Sequence, residues 1–255
     1  MANPAGFDPQ GAAIEPRAAE PALPEQALLF EHLEKLFHRA RTDPTFPNWS
    51  PELLYDRRGP EGPLAEQAPI AASVLIPLIG QAPSVLLTRR TSVLSSHAGQ
   101  ISFPGGRAES FDQSEDKTAL REAHEEIGLL PDRVRLLGRL PNYITASGFC
   151  VTPVIGWVAE PAVFTPDQRE VEELFRVPLS FVMNPANHQV RAVTADQSPT
   201  GKRIRFYAIP YFSPEHDGRE FFIWGATAAM LRNLYHFLYA AWHQQSQSLE
   251  HSQRL

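Results

Sequence analysis

Arg121-Glu122-Ala123-His124-Glu125-Glu126-Ile127-Gly128-Leu129 follows shortly after Phe103-Pro104-Gly105-Gly106, and this pair of segments sets the reading of the chain. Glu122 and Glu126 are four residues apart, Glu122 and Glu125 three, and both spacings bring side chains together on a helix surface. Asp112-Gln113-Ser114-Glu115 reads as the start of that helix, with Asp112 as cap and Glu115 three residues on. Gly128 stops it in the favoured C-terminal position. Three like charges on adjacent turns repel one another. A hard divalent cation removes that penalty, because Mg²⁺ and Mn²⁺ prefer carboxylate oxygens. Arg121 is placed to bridge back to one carboxylate and hold its rotamer. Arg/Glu mixtures also make ordinary solvated helix faces. The Gly105-Gly106 pair after a strand weighs against that reading. Two glycines permit a close backbone approach to a ligand or metal, although alone they would mark only a tight turn.

Working outward, Ala71 to Ile79 and Val85 to Arg90 are apolar, β-branched runs separated by Gly80 and Pro83, and they read as a hairpin. Gly99 to Phe103 is a third short strand. Further strands are expected near Arg133 to Arg139, Val151 to Val158, Val190 to Thr194, Arg203 to Ile209 and Glu220 to Ile223. An amphipathic helix from Trp224 repeats apolar residues at Met230, Leu234, Phe237, Leu238 and Ala241. Its Arg232, Asn233 and His236 argue for a packed helix and against a membrane span. Residues 1–24, rich in Ala and Pro, read as a disordered leader. Leu29, Leu33, Leu36, Phe37 and Ala40 predict a helix from about Glu25 to Arg41, followed by a Pro/Gly-rich linker to residue 67. That helix is read as a packing or dimer element, so a homodimer is carried as an expectation. The main domain spans 68–243, and residues 244–255 form a polar tail that is expected to fray. Strands interleaved with helices suggest a mixed α/β sandwich.

Bulk properties exclude several classes. The 255 residues, 43% of them hydrophobic, suffice for one large core. A net charge of -6 provides no broad basic footprint for nucleic acid. The single cysteine, Cys150, builds no disulfide framework within one chain and fits a reducing compartment. The N-terminus lacks a basic region followed by an apolar run, so no secretory signal is expected and a cytoplasmic location is.

The segment from Arg121 to Leu129 resembles the second half of the Nudix box and matches every fixed position of it. The first half departs. Counting back from Arg121 puts Gln113 where the box has Glu, whereas counting forward from Gly106 puts Asp112 there with one residue inserted. Upstream, Leu86-Leu87-Thr88-Arg89-Arg90-Thr91 and His97-Ala98-Gly99-Gln100-Ile101-Ser102-Phe103-Pro104-Gly105-Gly106 resemble the signature of the coenzyme A pyrophosphatase subfamily. Thr91 replaces a small Ser/Ala there, and Ser95 replaces an Arg. Val151-Thr152-Pro153-Val154, Glu170-Val171 with Val177-Pro178-Leu179, and Trp224-Gly225-Ala226-Thr227 resemble later landmarks, so the likeness covers about Ala68 to Leu238. It implies a Nudix-type α/β/α sandwich with a mixed β-sheet, plus an N-terminal helical extension. It also implies hydrolysis of a diphosphate in a small-molecule nucleotide such as coenzyme A, with Mg²⁺ or Mn²⁺. Glu122, Glu125, Glu126 and the Gly106 carbonyl would hold metal. Arg121, Glu122, Glu125 and Glu170 would serve catalysis, with Glu125 or Glu170 orienting the water. Arg89, Arg90, His97 and Arg107 would meet the substrate. Ser95 leaves open another nucleoside diphosphate derivative, such as an ADP-sugar or a dinucleotide. A non-catalytic module on the same fold is the third reading.

Overall fold

The computed structural model describes residues 8–52, 68–92, 99–145, 147–198, 201 and 203–252, with 245–252 described by backbone alone. In chain order the elements are β1 (Ala13–Glu15), α1 (Phe30–Thr42), β2 (Ile70–Ile79), β3 (Ser84–Arg90), β4 (Ile101–Ser102), β5 (Gly105–Arg107), α2 (Glu115–Ile127), β6 (Val134–Arg139), β7 (Tyr143–Ile144), β8 (Phe149–Val158), β9 (Val171–Pro178), α3 (Leu179–Val182), β10 (Gln189–Val193), β11 (Ile204–Ser213), β12 (Arg219–Trp224) and α4 (Gly225–Ser252).

The central sheet is mixed, in the order β4-β3-β2-β8-β6, with β9 also on β3, β5 on β2 and β7 on β8. β2 and β8 run parallel along their whole length, from Ile70 opposite Phe149 to Ile79 opposite Val158. Both faces of this pair are buried, which is why each strand reads as an almost unbroken apolar run. Alternation assigns the faces. Leu75 and Ile79 of β2, Leu86 of β3, and Val154 and Val158 of β8 point to α2, where they meet Ala119, Ala123 and Ile127. Ile76, Leu78, Val85, Leu87 and Ile155 point the other way, into a larger core built with α1 and α4. The result is an α/β/α sandwich with an N-terminal helix. The small Ala119 and Ala123 let α2 lie close on the sheet, and this closeness fixes the height of the carboxylates on its last turns.

The last three expected strands form, with β1, a separate antiparallel sheet in the order β1-β10-β11-β12. One face of that sheet joins the larger core through Val190, Tyr207, Ile209, Phe221 and Ile223, with the Phe175 and Phe221 rings stacked at 3.8 Å.

Three expectations are corrected. Residues 8–24 are not a free leader: β1 pairs with β10, Leu23 is buried, and Glu20 forms an ion pair with Arg232 at 2.6 Å. A three-residue strand has no periodicity to read, and composition alone pointed elsewhere. The polar tail is helical, since α4 continues to Ser252 with no Gly or Pro after Gly225 to stop it. The cap of α2 is Ser114, whose hydroxyl accepts the Lys117 N–H at 3.3 Å. Asp112 has a different task, described below. None of the described helices is long and apolar enough to cross a membrane.

Candidate active site

α2 ends in a glycine cap. Gly128 adopts φ +67°, its N–H donates to the His124 carbonyl and the Leu129 N–H donates to the Ala123 carbonyl. The final turn is then tied to the loop between β8 and β9. The Thr165 N–H donates to the Ile127 carbonyl at 2.8 Å, and the Asp167 N–H to the Glu126 carbonyl at 2.9 Å. Glu170 is fixed by the same chain of bonds, donating its N–H to Asp167 and accepting the Thr91 N–H at 2.9 Å. Thr91 Oγ1 also donates to the Arg169 carbonyl. The threonine that stands in place of a smaller residue thus clamps the loop carrying Glu170.

Glu126 is the buried member of the cluster, with its side chain 5% exposed. One carboxylate oxygen accepts the Gly105 N–H at 3.3 Å and the other lies 3.4 Å from Arg90 Nη1. Burial pushes its carboxyl up to about 7, Arg90 and the Gly105 N–H pull the other way, and Glu170 and Glu122 add to the rise. Glu122 is also raised, first by burial and further by Glu125 and Glu170, against the pull of Arg121. Its carboxylate lies over Gly106, where an added Cβ would come within 2.6 Å of it. Gly105 is packed as tightly on the other side, with an added Cβ falling 2.5 Å from the Ser73 carbonyl oxygen. The glycine pair is therefore a strand edge under a carboxylate, not only a turn.

Arg121 organises the remainder. Its Nη1 reaches Glu122 and Glu125 at 2.9 Å each, Nη2 donates to the Arg107 carbonyl, and Nε and Nη2 hold both oxygens of Asp112. Arg121 holds the Asp112 carboxyl down to about 2. Asp112 thus fills the place that counting along the sequence left shared with Gln113. It buttresses Arg121 and does not cap the helix.

The other expected residues separate. Arg90 joins the cluster, with Nη2 3.8 Å from Glu170. Arg89 does not: it pairs with Glu173 at 2.7 Å and Glu172 at 3.0 Å on β9. Arg107 is exposed at the end of β5, beside Gly106. His97 and Ser95 lie outside the described residues. Asp167 was not singled out in the sequence. Its side chain accepts the Arg169 N–H, an Asx-type turn that the Thr-Pro-Asp-Gln-Arg run signals.

Among the described residues, no three His, Cys, Asp or Glu side chains converge as a formed cation site. Arg121 and Arg90 hold the glutamates instead. The chemistry of the donors nonetheless suits a hard divalent cation. A buried carboxyl raised to about 7 stands among other carboxylates, the Glu122 carboxylate rests on the Gly106 backbone where a Cβ would otherwise sit, and the buried Ser73 hydroxyl on the neighbouring strand has no partner among the described residues.

A sequence model of the NUDIX domain matches residues 69–201. The chain belongs to the NUDIX family. A relative in Pectobacterium atrosepticum bearing the name "Uncharacterized Nudix hydrolase NudL" is 42% identical over 164 residues, covering 64% of this chain and 80% of its own length. A protein of the same name in Yersinia enterocolitica is 40% identical, covering 64% and 78%. Among solved structures, a Nudix hydrolase from M. smegmatis, RenU, is 26% identical over 43% of this chain and 71% of its own, with a TM-score of 0.37. The NUDIX match contains the glycine edge, the whole of α2 and Glu170, so every element of the carboxylate cluster lies inside the family domain.

Proposed function

We propose that this chain is a divalent-metal-dependent hydrolase of nucleoside diphosphate derivatives, with the diphosphate of coenzyme A as its bond of choice. The products would be 4'-phosphopantetheine, or its acyl form, and adenosine 3',5'-bisphosphate. The observation that carries the reaction class is the buried Glu126, held at about 7 among Glu122, Glu170 and Arg90 on a glycine edge. An arrangement this costly to the apoprotein suits a site built to receive cationic charge. Mg²⁺ or Mn²⁺ would be held by Glu122, Glu125 and Glu126 with the Gly106 carbonyl. A bound divalent cation polarises phosphoryl oxygens and lowers the pKa of its water.

The chain's own residues divide the remaining work. Arg121 fixes the rotamers of Glu122 and Glu125 through one planar fork braced by Asp112. The Gly105 N–H orients Glu126. Arg90 and the exposed Arg107 offer guanidinium groups to the diphosphate oxygens. Glu170 takes the water-orienting role, because Arg121 already engages Glu125. General-base assistance of that kind is typically worth ~10²–10⁴-fold.

The test is hydrolysis of coenzyme A with product identification, with and without Mn²⁺, in the native protein and in Glu126→Gln. Turnover that requires metal and is abolished in the variant, while its melting curve stays native, is the expected result. Undiminished turnover in Glu126→Gln would sink the reading. Ser95, where the resemblance has an Arg, motivates a second reading in which an ADP-sugar or a dinucleotide is preferred. A large preference for either over coenzyme A in the same assay would establish it.

A further inference from the structure

A cleft of about 310 Å³ lies where α1 and the segment after it meet the bulged edge strand β6. Phe37, Phe46, Trp49 and Phe237 wall it, and the charged side chains lining it are Arg41 and Arg139. The rings brace one another: Phe37, Phe46 and Trp49 all pack on Phe237, with centroids 4.8 to 5.5 Å apart. Gly138 lets the Phe37 ring pack directly on β6, since a Cβ there would come 2.8 Å from that ring and 3.7 Å from Arg41 Nη1. The volume falls at the lower end of small-molecule sites, roughly 300–1,000 Å³, and the mix of apolar walls and few polar groups is typical of them.

The two arginines are not equivalent. Arg139 is neutralised by Glu115 at 2.6 Å and Asp116 at 2.8 Å. Arg41 donates to the Leu137 carbonyl, and no carboxylate pairs with it among the described residues. A guanidinium has five N–H donors, so Arg41 brings to an aromatic-walled cleft spare donors and a positive charge that no described carboxylate compensates.

We propose that this cleft binds a small organic monocarboxylate with an apolar body. The body lies against Phe37, Phe46, Trp49 and Phe237, and the carboxylate is held by Arg41. The cleft shares no residue with the carboxylate cluster, so the inference stands apart from the reading of the reaction.

Isothermal titration of the full chain with 3-phenylpropionate and with octanoate tests it, against Ala40→Phe and Arg41→Gln. Ala40 also lines the cleft, so a phenyl ring there would occupy it. The expected result is saturable binding of one molecule per chain for at least one probe. Ala40→Phe abolishes that binding and Arg41→Gln weakens it roughly tenfold, the scale of a lost charge-assisted hydrogen bond. No saturable binding of either probe to the native protein overturns the proposal. So does equal binding by the native protein and Arg41→Gln, or binding of methyl 3-phenylpropionate as tight as that of the acid. Because the native-protein and Arg41→Gln arms decide the matter alone, an Ala40→Phe chain that fails to fold leaves the test intact.

Discussion

Arg121 carries most of the arrangement, because one guanidinium joins Asp112, Glu122, Glu125 and the Arg107 carbonyl. The sequence made Arg121 and the three glutamates legible, since fixed spacing on a helix is geometry that can be counted. It left Asp112 and Gln113 as rivals, because a loop does not convert residue number into position. Gly106 is the residue where this geometry is most exposed to test. In Gly106→Ala the new methyl would come within 2.6 Å of the Glu122 carboxylate, which is the far end of a flexible side chain and can move. The melting temperature should therefore stay close to native while metal-dependent turnover falls by about 10²-fold, the cost of misplacing a reacting group by roughly 1 Å. Calorimetric melting and initial rates on the same preparation measure both quantities. Native rates in a natively folded Gly106→Ala chain would show that Glu122 is not needed where it stands.

At the level of elements, legibility followed burial. β2, β3 and β8 are apolar on both faces and were readable as runs. β9 was missed as a strand because its phase breaks. Phe175 and Val177 face the larger core and Leu174 faces α2, but a bulge opposite Arg89 and Arg90 turns Val171 to the α2 side as well. The same slip sends Arg89 to Glu172 and Glu173 and leaves Arg90 for Glu126, a division that two adjacent arginines in a sequence cannot announce. β1 and the segment after it were missed for want of any pattern, yet that segment meets α4 at Arg232, whose side chain is 1% exposed. Glu20 and Glu52 compensate Arg232, and Tyr207 and Tyr235 pack on its guanidinium. Removing one partner of a buried pair strands the other charge. Glu20→Ala should therefore cost about 3 kcal/mol in urea denaturation, at the low end of such losses because Glu52 remains. A change below about 0.5 kcal/mol would mean that the contact is no more than a surface pair.

For the molecule as a whole, the buried His188 sets a pH dependence. Its Nε2 lies 2.7 Å from the Val182 carbonyl, and burial, with Arg232 and Arg17 nearby, lowers its pKa to about 4. The unfolded chain, with an imidazole near 6.5, then binds more protons between those values. Stability from His188 is full above pH 6.5 and is lost as pH falls toward 4, by on the order of 3 kcal/mol. Glu126, raised to about 7, slopes the opposite way in the metal-free protein. The comparison to make is therefore the native protein against His188→Gln, which keeps a donor for Val182 and titrates nothing. The variant should lose less stability between pH 7 and pH 5, and parallel curves would exclude the histidine. The contact between Glu20 and Arg232 spans 212 positions, and the one between Tyr235 and Pro21 spans 214. During synthesis Glu20 and Pro21 must therefore wait for Arg232 and Tyr235 to emerge before they find their seat. The glutamates of α2 and their glycine edge emerge well before that closure, so the nascent chain can assemble its carboxylate cluster ahead of its final fastening.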